Sequence, residues 1–558
     1  MNSNEPGSSG VSTAADSVEI TTETTTRRPA VVEIDKQASE QAREASERAR
    51  KASDWAREAA GRAAQQESGI EQAREVGAAG GTQAALEPGG GGRPRRLLLI
   101  GLDGATPELA LGAWRTELRT IHMLTDRGVR GRLQSSTPWA NLPAWLSLFS
   151  GQDPGQLGIY STTLRQQHSY AAPAPPDSHA IREPRLWDIL GAAGKHVGVV
   201  GAPATTPAPQ VHGHLIGDQI TADGSAFYPP ALRQQVATWL EDDLAPRLAD
   251  DDDIDRIVGE AYTRTEQRFW LARKLLARDT YDCFILYDDG IATVQRALWD
   301  SLDPAHRRYR PDHPSAAVIS AFYRFVDEQI ADLLELIDDN TIVALVAACG
   351  AQALDGELAL NDWLIEQGDL VLHARPDRPA TLEECDIDWA HTRAWAGDDG
   401  AIYLNIAGRE PQGIIPATEA EFAAQELATR LRALHGADPS DAPPNAADLQ
   451  PAVEGYPPAV LYSAVRGVAP DLLAICTQPG WRPSALIGRG SPWVHTGTVP
   501  MDAACESSSG LFVIYDPHNL SDRRELTGTT IYDMVPTLLA LLGQPIPARL
   551  RGRALIED

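Results

Sequence analysis

From Arg96 onward, apolar residues fall into short unbroken runs separated by stretches of helical period. Leu97–Asp103 is one such run, ending in Asp-Gly and followed by a helical pattern from Pro107 to Arg127. The same alternation predicts a helix over Leu186–Gly194 before a strand at His196–Gly201, and a helix over Arg256–Arg278 before a strand at Tyr281–Tyr287. It continues with a helix over Ser315–Asp338, a strand at Thr341–Cys349, a strand at Gly510–Tyr515 and a helix over Thr530–Gly543. Continuous apolar strands alternating with helices imply an α/β fold, with a mainly parallel sheet covered on both faces. Ligands of such sheets bind beyond the carboxyl ends of the strands. That rule selects Asp103, the turn after Tyr287, and Ala347–Gly350.

Residues 1–95 follow another pattern and read as an arm, the folded domain spanning 96–556. Met1 to Ala30 is rich in Ser, Thr and Glu without apolar period, and Gly89–Gly92 is a glycine run; both read as disordered linker. Between them Ala38, Ala42, Ala45, Ala49, Ala52, Ala56, Ala59 and Ala63 recur with heptad spacing, predicting a helix over about 33–66. Two readings stay open: a close-packed coiled coil that self-associates or docks on a protein partner, and a solvated helix of good helix formers.

Charge narrows the function. The 558 residues carry 49 Lys plus Arg against 77 Asp plus Glu, a net charge of -28. A field of that sign argues against a nucleic-acid or anionic-membrane partner. It also repels small phosphates unless a local cation reverses it. Through Arg96 there are 13 basic and 15 acidic residues, so nearly all the excess lies on the folded domain. The runs Glu241–Asp243 and Asp250–Asp253 read as solvated charge without a ligand role. Cys283, Cys349, Cys385, Cys476 and Cys505 lie far apart and odd in number, which fits reduced thiols. The start lacks a basic, then apolar, leader pattern, and no apolar run approaches a membrane span of about 20 residues, so the expected location is cytoplasmic.

Several stretches resemble the type I phosphodiesterase/nucleotide pyrophosphatase family of the alkaline phosphatase superfamily. They include LLLIGLDGATPELA, STPWANLPAWLSLFSGQDPGQLGIY, LWDILGAAGKHVGVVGAP, LNDWLIEQGDLVL, AIYLNIAGREPQGIIP and IYDMVPTLLALLGQPIPARLRGRAL. The resemblance implies an alkaline-phosphatase-like sheet with a smaller cap-like insertion, placed at about 152–240. It also implies a hydrolase with two zinc or manganese ions and a Thr or Ser nucleophile. Such ions clamp the attacking and leaving oxygens and supply the missing positive charge.

Carried across, that site is largely missing. The family's first metal-binding Asp falls on Asp103 and is kept, while the nucleophile position holds Asn141, whose amide is no nucleophile. The D-x-x-x-H pair becomes Ala292 and Arg296, and the S-D-H-G turn becomes Ala347, Ala348, Cys349 and Gly350. The last His aligns with Glu506, and the His of the P-G-x-H-G-I motif with Leu157. Around these gaps Trp145, Gln295, Trp299 and Gly350 are retained.

The leading expectation is therefore a catalytically inactive family member that binds or scaffolds, with no cofactor and a pocket at Asp103, Asn141 and Arg296 suited to an anion. The alternative is an active metal-dependent phosphodiesterase, pyrophosphatase or phosphohydrolase with a rearranged site, again using zinc or manganese. A substitute metal set could come from Asp103, Cys349, Cys505 and Glu506, or from Asp288 and Asp289 after a register shift. His212 and His214 read as surface strand residues, and His495 as a loop residue near the lost last ligand. Thr137, Ser147 and Ser150 flank the nucleophile position without a Ser-His-Asp order.

Overall fold

A computed structural model describes residues 95–220, 223–243, 253–313, 315–434, 452–496, 502–519 and 523–556. The arm with its alanine seam, and residues 250–252 of the acidic run, lie outside these.

Nine strands form the main sheet: β1 (Arg96–Leu102), β2 (Val129–Gln134), β3 (Val197–Val200), β4 (Gly213–Ile216), β5 (Phe227–Tyr228), β6 (Cys283–Asp288), β7 (Thr341–Ala347), β8 (Ser509–Tyr515) and β9 (Glu525–Thr530). Their spatial order is β9-β2-β8-β7-β1-β6-β3-β4-β5. β1 lies centrally and pairs in parallel with β6 and β7, Gly101 standing opposite Tyr287 on one side and Val346 on the other. β8 runs antiparallel between β2 and β7, and β5 antiparallel at the far edge. Strand direction is not encoded in an apolar run, so these reversals were not legible in the sequence.

Alternation along β1 shows why both faces must be covered. Leu98, Ile100 and Leu102 face one core, built with α1 (Arg119–Arg127), α4 (Asp253–Arg278), α5 (Gly290–Leu302) and α6 (Val318–Leu334). Leu97 and Leu99 face the other, built with α2 (Asn141–Ser150), α3 (Leu186–Ala192) and α7 (Met534–Leu541). Each fully buried leucine contributes about 1.5–3 kcal/mol, which fixes register as well as stability.

Some elements differ from expectation. The segment predicted as one helix from Pro107 to Arg127 is a wide turn at Glu108–Ala113 and then α1. Asp327 of α6 accepts the Thr120 and Ile121 N–H groups at 3.0 and 2.8 Å, capping α1 where the break falls. The last helix starts later than predicted, because Thr530 and Asp533 form a capping box around a short tight turn. The range 152–240 supplies β3, β4 and β5 to the main sheet; the smaller sheets come instead from 350–507. One of these has four strands, Ala394–Ala396, Ala401–Leu404, Leu472–Cys476 and Val453–Tyr456 in that order, over a third core. Among the described residues no helix is long and apolar enough to cross a membrane.

Candidate functional site

Asp103 follows the last residue of β1 and is buried, with 2% of the residue exposed. Two backbone features place it there. Gly101 lies under Trp145, whose ring would sit 2.9 Å from an added Cβ. Gly104 turns the chain at φ +71°, a conformation that favours glycine, with Ala292 and Gln295 packed against it. Gln295 pins this turn, donating to the Gly104 carbonyl at 2.7 Å while its own carbonyl accepts from Thr106 and Tyr323.

Three residues converge on the Asp103 carboxylate. Asn141, the first residue of α2, donates its amide to Oδ2 at 2.5 Å. Trp145, one turn later on the same helix face, donates its indole N–H to Oδ1 at 2.8 Å. Arg296 of α5 brings a guanidinium nitrogen to 3.9 Å from Oδ2. The pocket trio Asp103, Asn141 and Arg296 is thus brought together. Burial raises the Asp103 pKa to about 6, outweighing the opposing pull of Arg296 and the two hydrogen bonds. Burial alone would lower the pKa of Arg296, but Glu506, Asp103 and Asp502 around it raise it.

Ala292, Ala348, Cys349, Cys505 and Glu506 each have other surroundings. Ala292 packs against Gly104, and its N–H donates to the Asp103 carbonyl at 3.1 Å. Ala348 is fully buried, and Cys349 beside it has its sulfur 3.1 Å from the Ser135 hydroxyl and 3.4 Å from the Trp139 carbonyl. Burial pushes the Cys349 thiol well above its ordinary value, the opposite of an activated or ligating thiolate. Cys505 and Glu506 are consecutive on the strand Ala504–Ser507, pairing with Gln352 and Ala351, so they face opposite ways. The Cys505 thiol is pushed up to about 12 by burial.

The other candidates are dispersed. Asp288 is buried and accepts from Thr265 at 2.8 Å and from the Gly290 N–H at 3.0 Å. Asp288 and Asp289 share Arg268 of α4, at 3.4 and 2.5 Å, and this cation was not anticipated. His212 and His214 lie at the amino ends of the strands, the edge opposite Asp103. His212 bonds the Lys195 carbonyl, and His214 contacts Tyr281 and Arg278. His495 sits edge-on to Trp481 at 5.1 Å. Thr137 accepts from the Tyr462 hydroxyl through its carbonyl, Ser147 is fully buried, and Ser150 donates to the Leu146 carbonyl.

These residues do not fit a two-ion centre. Among the described residues no three of His, Cys, Asp and Glu group as a metal-ligand set. Both oxygens of the Asp103 carboxylate are engaged by Asn141 and Trp145, and the Arg296 guanidinium stands 3.9 Å from Oδ2.

The profile described as type I phosphodiesterase / nucleotide pyrophosphatase matches residues 97–493. Among solved structures, phosphonoacetate hydrolase from Sinorhizobium meliloti 1021 in complex with phosphonoformate superposes with a TM-score of 0.51 at 16% identity, covering 81% of this chain and 96% of that one. Murine ectonucleotide pyrophosphatase / phosphodiesterase 5 superposes with a TM-score of 0.45 at 12% identity, covering 83% of this chain and 97% of that one. No curated protein matches significantly.

Proposed function

The chain belongs to the type I phosphodiesterase / nucleotide pyrophosphatase family, and we propose that it is a non-hydrolytic member acting as a binding or scaffold protein. The observation that carries this reading is the Arg296 guanidinium beside Asp103, with Asn141 at the nucleophile position bonded to the same carboxylate. Hydrolysis of a phosphodiester in this family requires a metal-activated nucleophile and a cation on the leaving oxygen. An amide supplies no nucleophile. The Arg296 guanidinium lies 3.9 Å from Asp103, and the field of Glu506, Asp103 and Asp502 favours its charged form. The alanine-seamed segment of about 33–66 is the part we assign to partner docking or self-association, on its heptad spacing alone. Light scattering of the full chain against a chain lacking residues 1–90 tests that assignment; equal oligomeric states count against self-association.

The test of the main reading is metal content by mass spectrometry on the purified full chain, with turnover of bis-p-nitrophenyl phosphate measured with added zinc or manganese. The reading expects neither stoichiometric metal nor turnover. About two ions per chain, with turnover abolished by a chelator, would overturn it in favour of an active metal-dependent phosphodiesterase with a rearranged site.

A further inference from the structure

At the sheet end opposite Asp103, histidines gather where β3, β4 and β6 begin. His214 is the second residue of β4 and stands opposite Gly198 of β3. Its ring lies 5.7 Å from that of His196. The His196 ring in turn lies 6.0 Å from that of His212 and is stacked on Tyr281 at 4.8 Å.

Both ring nitrogens of His214 are engaged. Nε2 lies 3.0 Å from a guanidinium nitrogen of Arg278, and Nδ1 lies 2.9 Å from the Tyr281 hydroxyl. A guanidinium only donates, so Nε2 carries the lone pair and the ring is neutral. Arg278, the last residue of α4, is shared. It also donates to Gln235, lies over the Trp239 ring at 5.8 Å, and donates from Nε to Asp279 at 2.7 Å. Gln235 and Trp239 belong to the helix Leu232–Asp243, so one arginine ties that helix to β4 through an unprotonated imidazole.

We propose that His214 and Arg278 form an acid-released latch between β4 and the helix Leu232–Asp243. A proton on Nε2 removes the acceptor and sets an imidazolium against the guanidinium at hydrogen-bond distance. Arg278 then leaves the ring, and the helix loses its polar tie to the strand. Leu232 and Val236 keep the helix in the core, so the release is local. The groups facing His214 set the balance. Burial lowers its pKa from an ordinary 6.5, and Arg278 of α4 and His196 ahead of β3 add to this against Asp279. Asp279 is itself held by Arg278, Lys195 pairs with Asp282, and Tyr281 and Gln235 carry no charge. The folded chain therefore favours the neutral ring. The stabilisation it gives is whole above 6.5 and declines as the pH falls from there toward the folded value.

Hydrogen exchange of the full chain, read by mass spectrometry and corrected for intrinsic rate, tests this between about pH 7.5 and about pH 5.5. Expected in the wild type is an about tenfold loss of protection in residues 232–239 at the lower pH, with β1 unchanged. His214→Gln keeps an acceptor for Arg278 that does not titrate, so its protection should be the same at both pH values. Arg278→Leu lacks the latch altogether and should show the lower protection at both. Equal wild-type protection at the two pH values, a wild-type loss that extends to β1, or the same pH-dependent loss in His214→Gln or Arg278→Leu overturns the proposal.

Discussion

Neutralising Asp103 should stabilise the fold increasingly as pH rises. In the folded protein this carboxyl titrates near pH 6, against an ordinary 3.8, because burial penalises its ionised form more than Arg296, Trp145 and Asn141 favour it. Between those values the folded chain holds a proton that the unfolded chain has released. The ionisation penalty is therefore absent below the unfolded value and fully imposed above the folded one. Each tenfold step in proton affinity corresponds to about 1.4 kcal/mol, so the full penalty is about 3 kcal/mol. Asparagine at 103 keeps an oxygen for the Trp145 indole and carries no charge, and Asn141 can turn its own carbonyl toward the new amide. Arg296 retains Glu506 and Asp502 as neighbours. Urea unfolding of wild type and Asp103→Asn, compared across the acid-to-neutral range, should show the difference moving about 3 kcal/mol in the variant's favour, with its inflection near the folded value. A metal-bound carboxylate would be held ionised in the folded state, and the trend would reverse. A flat difference, or one favouring the wild type as pH rises, refutes the reasoning.

Gly104→Ala combines a left-handed backbone with a methyl 2.9 Å from the Ala292 Cα and Cβ, and should cost about 2–4 kcal/mol in denaturant unfolding. Arg268→Leu strands the buried Asp288 carboxylate and should cost about 3–5 kcal/mol at neutral pH. Part of that loss should be recovered in Arg268→Leu/Asp288→Asn, and a double variant no more stable than the single one counts against the pairing. In native protein, iodoacetamide should label Cys385, the half-buried thiol, well before Cys283, Cys349, Cys476 or Cys505, as read by peptide mass spectrometry. Early modification of Cys349 would mean that its pocket is open and its thiol more acidic than its burial allows.

Much of the fold was legible because it rests on local patterns. The run Leu97–Asp103 encodes a strand buried on both faces, and its Asp-Gly ending encodes the turn that sets Asp103 at the strand's carboxyl end. The residue types at positions 103, 141, 292, 296, 349 and 506 could likewise be read directly, and they raised the question of a lost metal centre. What the sequence could not supply is proximity. That Asn141, Trp145 and Arg296 close on one carboxylate depends on β1, α2 and α5 meeting at the carboxyl end of the central strand, through contacts 38, 42 and 193 residues apart. The same holds for Arg268 beside Asp288 and Asp289, and for Cys505 and Glu506 facing apart, since side-chain direction follows pairing register. Sequence alone determined which chemistry-bearing groups the chain possesses and the run of its elements. Only the tertiary structure decided which groups are neutralised by neighbours and which remain free, because charge balance and desolvation depend on distance through space.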